Sequence, residues 1–222
     1  MAKKNLNSRH SMRSSRRGLF ITLEGIEGCG KSTHAALLAK DLTGRGYDCL
    51  LTREPGGTGL GEAIRRVLLH SADIRISDLS ELFMFEASRS QIIEEIIAPG
   101  LAGGKIVICD RFFDATLAYQ GYGGGLSLKM IRSMNDFATG HLMPDLTLLL
   151  DIDTLEGLKR ADVKGSDRME KKRIDYHKRV RAGYLKLARS EPSRFRIIRV
   201  AGSIEDTRKI IGREVDSVIP RY

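Results

Sequence analysis

Residues 25–32 match the pattern G-x-x-x-x-G-K-[ST] at every fixed position. The glycines of this pattern allow backbone N–H groups to curl around the α- and β-phosphates of a nucleotide. Lys31 is expected to reach the β- and γ-phosphates, and the hydroxyl of Ser32 is expected to bind Mg²⁺. The predicted nucleotide-binding loop comprises Gly25, Ile26, Glu27, Gly28, Cys29, Gly30, Lys31, Ser32 and Thr33. Such a loop constrains the fold, because it needs a strand before it and a helix after it.

The segments on either side of the loop have the pattern that this fold requires. The apolar run 19–23 upstream predicts a buried strand. Downstream, apolar residues recur at helical spacing over 33–43, and Gly44 and Gly46 predict the end of that helix. Strand, glycine loop and helix in this order favour a phosphate-binding loop over a glycine-rich surface turn.

Four further strand-like segments alternate with helical patterns along the rest of the chain. The predicted strands are 19–23, 48–53, 106–110, 146–151 and 195–200. The predicted helices are 33–43, 60–70, 78–98, 128–139, 154–161, 173–189 and 204–218. Apolar strands separated by helices are typical of a parallel sheet that is covered on both faces. We therefore predict a three-layer, doubly wound α/β fold of the P-loop NTPase type, with five parallel strands whose carboxyl ends bind the ligands.

The basic residues of the chain are unevenly distributed. The formal net charge is +9, and residues 1–18 contribute six Lys or Arg and no acid, which leaves +3 for the remainder. This leader is rich in serine and poor in apolar residues, so we expect a disordered tail, with a transit peptide as the alternative. The remaining charge suits a protein that binds small anions, and it disfavours nucleic acid as a partner.

Length, hydropathy and cysteine content limit the class of protein further. After the leader, residues 19–222 are predicted to form one domain. No apolar run approaches the roughly 18 residues that a membrane span needs, so no membrane is expected as a partner. The three cysteines do not suggest a disulfide framework and have no partner at metal-ligand spacing. They favour a reducing compartment, and we expect the cytoplasm.

Charged residues end several of the predicted strands, where a ligand crevice is expected. Arg53 and Arg111 end or follow the second and third strands, and charges that converge on a nucleotide loop indicate function rather than solvation. Asp110 precedes Arg111 and could bind Mg²⁺ or its water shell, or it could instead orient Arg111. Asp151 ends the fourth strand and is interpreted as structural.

Four segments carry a more specific pattern than the nucleotide-binding loop alone. They are Leu23-Glu24-Gly25 leading into the loop, Thr52-Arg53-Glu54-Pro55-Gly56-Gly57, Asp110-Arg111-Phe112 with Ala118-Tyr119-Gln120-Gly121, and Asp167-Arg168-Met169-Glu170. In this order they resemble the thymidylate kinase family, and the resemblance covers nearly everything from Leu19 onward. It implies transfer of the γ-phosphoryl group of ATP to dTMP with Mg²⁺. It also implies a homodimer, to which the helix 78–98 contributes.

The acceptor phosphate implied by this resemblance has its own chemical requirement. A monophosphate is already anionic near neutral pH, so the reaction needs cations against the repulsion of two anions rather than a general base. Arg53 and Arg111 suit bidentate phosphate binding, and Glu54 lies beside Arg53 in the matching segment. We expect these three residues on the acceptor side, with Arg111 and Lys31 catalytic. By resemblance, Glu27 contacts Mg²⁺ or the acceptor side. The alternative interpretation is that Glu27 is simply an exposed acidic residue of the loop.

A nucleobase pocket is predicted on the third helix. Phe85 and Arg89 are four residues apart and therefore share a helix face. The resemblance implies that Phe85 stacks on thymine and that Arg89 bonds to its exocyclic oxygen, although the residue pattern alone would make Phe85 a core side chain. It further implies contacts with the base edge and the deoxyribose for Thr116 and Tyr119, with Gln120 beside them.

Positive charge for the far side of the γ-phosphate is missing from the loop itself, whose variable positions hold no basic residue. Residues 159–181, by contrast, hold ten Lys or Arg and four Asp or Glu. The resemblance implies a mobile lid over about 159–173 that closes over ATP and supplies the missing cation. The candidates are Arg160, Lys164 and Arg168, and the Asp-Arg-x-Glu context favours Arg168.

Two other functions remain open at this point. The chain could be a P-loop kinase for another small acceptor, or an ATP-switched nucleic-acid-binding protein whose binding through residues 1–18 weakens with salt. A GTPase is disfavoured, because no Asn-Lys-x-Asp motif occurs. The chain departs from the family pattern in its leader, in the glycine-rich segment 121–125, and in lacking an acid after the last strand. No adenine contacts are therefore assigned.

Overall fold

The computed structural model describes residues 17–70, 74–162 and 172–219. Its centre is a five-stranded parallel sheet with the strand order β2-β3-β1-β4-β5. The strands are β1 (Leu19–Glu24), β2 (Cys49–Arg53), β3 (Ile106–Asp110), β4 (Leu146–Asp151) and β5 (Phe195–Arg199). The predicted parallel sheet is thereby confirmed, with strand boundaries that differ from the prediction by one residue at most.

Helices connect the strands and pack against the sheet. They are α1 (Lys31–Gly44), α2 (Gly59–His70), α3 (Asp78–Ile92), α4 (Ala98–Ala102), α5 (Phe113–Thr116), α6 (Leu128–Thr139), α7 (Thr154–Asp162), α8 (Ile174–Ser190) and α9 (Ile204–Asp216). Consecutive residues of β1, β3 and β4 are buried, whereas alternation would be expected if one face met water. The central strands are therefore covered on both faces, as in a three-layer doubly wound fold. None of the described helices is long and apolar enough to cross a membrane.

The long helix predicted over 78–98 is interrupted in the structure. α3 ends at Ile92, a π-helical segment spans Ile93–Ile97, and α4 then begins with Pro99 in its first turn. Proline has no N–H to donate to the preceding turn and its ring crowds that turn, so a regular α-helix cannot pass through it. A π-helical turn accommodates the mismatch. The prediction of one continuous helix was wrong in this respect.

A second π-helical segment, Leu117–Gly123, follows α5 in a region for which no helix was predicted. Its glycines allow close packing against neighbouring helices. A Cβ at Gly121 would lie 2.5 Å from a methyl carbon of Leu128, and one at Gly123 would lie 2.7 Å from a methyl carbon of Val180. Glycine is required at these positions for close packing. In this segment, glycine therefore does not indicate a loop.

The sheet register brings the predicted functional segments together. Leu23 of β1 and Arg53 of β2 are both paired with Asp110 of β3. The carboxyl ends of these three neighbouring strands therefore lie side by side, and the loop after β1 faces the residues that end β2 and β3. This is the edge at which doubly wound sheets bind their ligands.

Candidate active site

A cavity of about 980 Å³ lies over the carboxyl ends of β1, β2 and β3. Of the predicted site residues, it is lined by Glu27, Gly28, Gly30, Lys31, Ser32, Thr33, Arg53, Glu54, Phe85, Asp110, Arg111, Thr116, Tyr119, Gln120 and Arg160. Gly25, Ile26, Cys29 and Arg89 lie behind its wall, and Lys164 and Arg168 fall outside the described residues. One cavity thus unites segments that are far apart in the sequence.

The nucleotide-binding loop has the backbone that its glycines predict. Gly25, Gly28 and Gly30 have φ angles of 141°, 69° and 91°, a region that other residues rarely adopt. Gly28 is also required by space, because a Cβ there would lie 1.9 Å from the carbonyl oxygen of Gly157. The loop leads directly into the amino end of α1, which favours a bound anion through its free N–H groups and its dipole.

Lys31 is buried and curls back over this loop. Its Nζ donates to the carbonyl oxygen of Ile26 at 2.7 Å and lies 3.5 Å from Sγ of Cys29. Ile26 and Cys29 are themselves buried in the hydrophobic core and so anchor the loop from below. The ammonium group is held at the cavity wall, where a polyphosphate would need it.

Two oxygen ligands suitable for Mg²⁺ lie next to each other. Oγ of Ser32 donates to Oδ2 of Asp110 at 2.5 Å. In the part of the chain that the structure describes, no cluster of three His, Cys, Asp or Glu side chains could hold a metal by itself. Mg²⁺ characteristically takes one or two protein ligands and completes its shell with phosphate oxygens and water. Ser32 and Asp110 fit that requirement. Asp110 makes no ion pair with Arg111 among the described contacts, so the geometry favours the metal-ligand alternative.

Arg111 lies between the nucleotide-binding loop and the far wall of the cavity. Its φ of 70° is unusual for a residue with a side chain. Nη1 donates to the carbonyl oxygen of Gly25 at 3.0 Å and to the Tyr184 hydroxyl at 3.3 Å. Nη2 lies 3.4 Å from Oε1 of Glu27. The guanidinium also covers the ring of Tyr119 at 4.9 Å.

Glu27 is buried, which excludes its interpretation as an exposed loop acid. Its carboxylate accepts a hydrogen bond from the Tyr119 hydroxyl at 2.5 Å, and Nδ1 of His177 lies 3.4 Å away. Burial alone would raise the pKa of Glu27, but His177, Arg111, Lys31 and Tyr119 together lower it to about 2. Glu27 is therefore a fixed anion that links the loop to the opposite wall.

Three arginines converge on the acceptor side of the cavity. Arg53 donates to both carboxylate oxygens of Glu62, at 3.0 and 3.1 Å, and Arg65 donates to the carbonyl oxygen of Pro55 at 2.8 Å. Burial lowers the pKa of Arg65, and the positive charges of Arg53 and Arg111 lower it further. Like charges held this close indicate a site for an anion. Sequence reasoning missed Arg65, although its place three residues after Glu62 on α2, just beyond the glycine-rich end of β2, could have identified it.

Phe85 lines the cavity and is only partly buried. It does not belong to the hydrophobic core cluster or to the apolar side chains packed against it in the described ranges. Its alternative interpretation as a core residue is therefore not supported. An aromatic ring that faces a polar cavity is available for stacking.

Arg89 lies directly behind this wall and is 1% exposed. Its guanidinium is bound by Glu54, Glu86 and Asn135, and its carbon centre lies 5.7 Å from the ring of Phe112. Burial raises the pKa of Glu54, and the positive charge of Arg89 opposes this rise. The two carboxylates raise the pKa of Arg89 despite its burial, so the guanidinium stays charged.

The remaining predicted acceptor-side residues are also held by specific contacts. Thr116 donates to the carbonyl oxygen of Phe113 at 2.7 Å, and Nε2 of Gln120 donates to Oε1 of Glu81 at 2.8 Å. Both line the cavity with Tyr119. These contacts fix the side chains in place before any ligand is bound.

Only the ends of the predicted lid are described. Arg160 lines the cavity, is 44% exposed and donates to Glu156 at 2.5 Å within α7. The favoured candidate Arg168, together with Lys164, lies outside the described residues, so the lid and its catalytic cation stay predictions. Asp151 accepts two hydrogen bonds from Arg181, at 2.7 and 3.0 Å, as expected for a structural residue.

A buried polar cluster beneath the cavity has no equivalent in the sequence-based predictions. Glu24 accepts hydrogen bonds from the Tyr184 hydroxyl and the Phe112 backbone, both at 2.7 Å. Burial raises the pKa of Glu24 to about 8. His177 and Tyr184 both come from α8, whose polar residues at helical spacing could have indicated contact with the site. No local motif marks them.

A parallel sheet of this strand order, a glycine loop that leads into a helix, and converging arginines in one cavity define a P-loop nucleotide-binding protein of the kinase type. The sequence matches the family model for thymidylate kinase over residues 23–211. The chain belongs to the thymidylate kinase family.

Individual relatives agree with this family over most of the chain. The chain is 51% identical over 185 residues to a thymidylate kinase from Synechococcus sp. (strain JA-2-3B'a(2-13)), covering 83% of this chain and 88% of that protein. It is 46% identical over 201 residues to a thymidylate kinase from Dehalococcoides mccartyi, covering 90% and 97%. The crystal structure of thymidylate kinase from Ehrlichia chaffeensis superposes with a TM-score of 0.75 at 36% identity, covering 90% of this chain and 99% of that one.

Proposed function

We propose that this chain transfers the γ-phosphoryl group of ATP to dTMP, giving dTDP. The observation that carries the proposal is the single cavity in which the nucleotide-binding loop faces three arginines and an accessible aromatic ring. Membership of the thymidylate kinase family supports the same reaction. Such a cavity holds two anionic substrates in line, which is the main requirement of phosphoryl transfer.

The donor end binds the polyphosphate of ATP. Backbone N–H groups of residues 28–33 and the ammonium group of Lys31 stabilise negative charge on the β- and γ-phosphates. Ser32 and Asp110 are the residues that would hold Mg²⁺, which neutralises phosphate charge when bound. Lys31 already lies against the loop through its hydrogen bond to Ile26, so it needs only a small displacement to meet a phosphate oxygen.

The acceptor end binds the phosphate of dTMP through arginines. Arg53, Arg65 and Arg111 offer forked N–H donors to the phosphate and reduce its repulsion from the γ-phosphate. No general base is required, because the attacking oxygen is already anionic. Arg111 lies nearest to the loop, through its bond to Gly25, and is the arginine best placed to contact both phosphates. Glu27 fixes Arg111 and Tyr119 relative to the loop.

The base and sugar of dTMP bind on the α3 side of the cavity. Phe85 stacks on thymine, and Arg89 donates to its exocyclic oxygen from behind the wall. Thr116 and Gln120 meet the base edge, and Tyr119 packs against the deoxyribose, where a ribose hydroxyl would be crowded. The lid over about 159–173 closes on ATP and supplies a cation, for which Arg168 is the first candidate.

The assembly proposed for the chain is a homodimer. Exposed apolar side chains are grouped on α2 and α3, which pack against each other, and they are typical of a surface that is covered by a partner. They are Leu60, Val67, Leu79 and Phe83. We place the protein in the cytoplasm, because its substrates are free nucleotides and its cysteine content suits a reducing compartment.

The alternative functions are not favoured by the comparisons. Relatives that are 41–51% identical over most of the chain are thymidylate kinases. A kinase for a different acceptor would need a different set of residues around Phe85. A nucleic-acid-binding protein would need a use for the converging arginines inside a cavity, where a duplex cannot enter.

The experiment that tests the proposal is a phosphoryl-transfer assay on the purified chain with ATP, Mg²⁺ and a panel of acceptors. We expect dTDP to form from dTMP with the highest kcat/KM, and dUMP, UMP, CMP and AMP to be used less well. Hydrolysis of ATP without formation of dTDP would contradict the proposal.

A further inference from the structure

We propose that Glu54 is a positioning residue that determines base selectivity by holding the guanidinium of Arg89 in one orientation. The inference rests on the proposed function, since it concerns recognition of the thymine ring. It also changes the role predicted for Glu54 from the sequence, which was direct contact with the acceptor.

The first observation is how completely Arg89 is held. Its Nε donates to Oε2 of Glu54 at 2.9 Å, and its Nη2 lies 2.9 Å from the same oxygen. On the other side, Nη1 donates to Oε1 of Glu86 at 2.9 Å and to Oδ1 of Asn135 at 2.8 Å. The guanidinium is planar and its N–H groups form a rigid fork. Rotation would therefore break at least one charge-assisted hydrogen bond in a buried site, which is costly.

The second observation is that this arrangement leaves a donor unused. A guanidinium has five N–H groups. Nε uses one for Glu54, and Nη1 uses two for Glu86 and Asn135, with Oγ1 of Thr116 a more distant acceptor of the same nitrogen at 3.4 Å. Nη2 carries the other two, and Oε2 of Glu54 is the one acceptor near it in the described part of the chain. One N–H of Nη2 is therefore left without an acceptor among the described contacts, Glu54 fixes its direction, and we infer that it is the donor to the base.

The third observation is the position of the cluster relative to the base. Phe85 precedes Arg89 by about one turn of α3, and Phe85, Glu54 and Thr116 all line the cavity. A ring stacked on Phe85 would direct one edge towards this wall. Thymine carries the acceptor O4 on that edge, whereas cytosine carries an amino donor at the same position. A fixed N–H donor therefore binds O4 of thymine and is repelled by the amino group of cytosine.

The fourth observation is an excess of buried acid. Glu54 and Glu86 share one guanidinium, and Oε1 of Glu54 and Oε2 of Glu86 have no hydrogen-bond partner in the described ranges. Burying a second carboxylate costs more free energy than its ion pair with the same guanidinium recovers. Stability alone therefore does not explain the cluster. Clamping the guanidinium from two sides gives it a fixed orientation, which explains the second acid.

The test is the substitution Glu54→Gln, with steady-state kinetics compared between dTMP and dCMP. The substitution keeps the shape of the side chain but removes the charge that holds Nε and Nη2 of Arg89. We expect the KM for dTMP to rise about tenfold or more, and the ratio of kcat/KM for dTMP to that for dCMP to fall about tenfold or more. The KM for ATP and the kcat at saturating dTMP should stay within about threefold of wild type, because phosphate binding is untouched.

A matched control is Asp114→Asn, which makes the same chemical change in another buried carboxylate–arginine pair. Asp114 accepts two hydrogen bonds from Arg194, at 2.7 and 2.8 Å, and does not line the cavity. The substitution Asp114→Asn should lower the melting temperature of the protein and leave its base selectivity unchanged. If Glu54→Gln does not fold, Glu86→Gln tests the same clamp from its other side and should relax selectivity in the same direction.

The outcomes separate this inference from the proposed function. Wild-type protein that fails to phosphorylate dTMP refutes the proposed function. Wild-type protein that phosphorylates dTMP, with Glu54→Gln as selective as wild type, overturns the positioning role alone. Equal loss of selectivity in Asp114→Asn would also overturn it, since the effect would then come from general loosening of the fold.

Discussion

The two ends of the cavity are built in different ways. The donor end is one contiguous segment, in which we expect backbone N–H groups and the amino end of α1 to do most of the binding, and Lys31 is held by the loop itself. The acceptor end is assembled from side chains of β2, β3, α2, α3 and the segment after α5, and two of its arginines, Arg89 and Arg111, are held by ion pairs with the buried Glu54 and Glu27. We therefore expect substrate specificity to depend mainly on the acceptor end.

The largest effect is expected from a substitution in the donor end of the cavity. Lys31→Ala should lower kcat by about 10³-fold or more, because a buried cation against the transferring phosphate is lost. The fold should persist, and the affinity for dTMP should change little. Lys40→Ala, an exposed lysine on the same helix, is the control and should retain activity. A kcat near that of wild type in Lys31→Ala would exclude the loop as the donor site.

A second prediction concerns Glu27, where the two ends meet. Its folded pKa of about 2 lies below its usual value of 4.5. A depressed carboxyl pKa stabilises the fold at pH values above 4.5, and this stability is lost as the pH falls from 4.5 towards 2. The contribution is about 3 kcal/mol at neutral pH, since each unit of pKa corresponds to about 1.4 kcal/mol.

Denaturant unfolding between about pH 2 and pH 7 measures this dependence. Glu27→Gln should remove much of the loss of stability on acidification, whereas the exposed Glu94→Gln should keep it. An unchanged pH dependence in Glu27→Gln would mean that the ends of the cavity are not joined electrostatically through Glu27.

The third prediction concerns the lid, which supplements the donor end. Arg168→Ala should lower kcat about 10²-fold with little change in either KM, if its charge acts in the transition state. Arg160→Ala should have a smaller effect, because Arg160 is partly exposed and already paired with Glu156. Steady-state kinetics of both variants decide the assignment. The reverse order of effects would transfer the catalytic role to Arg160.

The smallest expected effect tests the acceptor end of the cavity. Phe85→Ala should raise the KM for dTMP roughly tenfold, since stacking on an aromatic ring contributes about 1–3 kcal/mol per base. The KM for ATP should not change. Phe137→Ala removes a ring that is 89% exposed on α6 and serves as the control. Equal changes in both KM values would show that Phe85 supports the fold rather than the acceptor.

The same contrast explains what the sequence could predict. The whole donor loop could be predicted from the sequence, because its proposed chemistry depends on contiguous residues whose spacing has a physical meaning. The parallel sheet was predicted for a similar reason, since buried strands and amphipathic helices are local patterns.

The acceptor end was less accessible, because its contacts join residues that are distant in the sequence. Phe85 and Arg89 were assigned through resemblance, and Arg65 was missed because an arginine on an amphipathic helix is usually solvated. The pairing of Arg89 with Glu54 spans 35 residues and has no local signal. The break at Ile92 was missed for a different reason, because helical periodicity continued to residue 98 and gave no sign of the π-helical segment Ile93–Ile97.

The proposed reaction requires donor and acceptor to occupy separate, simultaneously available ends of one cavity. The most direct measurement is a calorimetric titration of dTMP into the chain saturated with Mg²⁺ and a non-hydrolysable ATP analogue. We expect one dTMP to bind per chain, with an affinity no weaker than in the absence of the analogue. Competition between the two nucleotides, with dTMP binding abolished at saturating analogue, would contradict it.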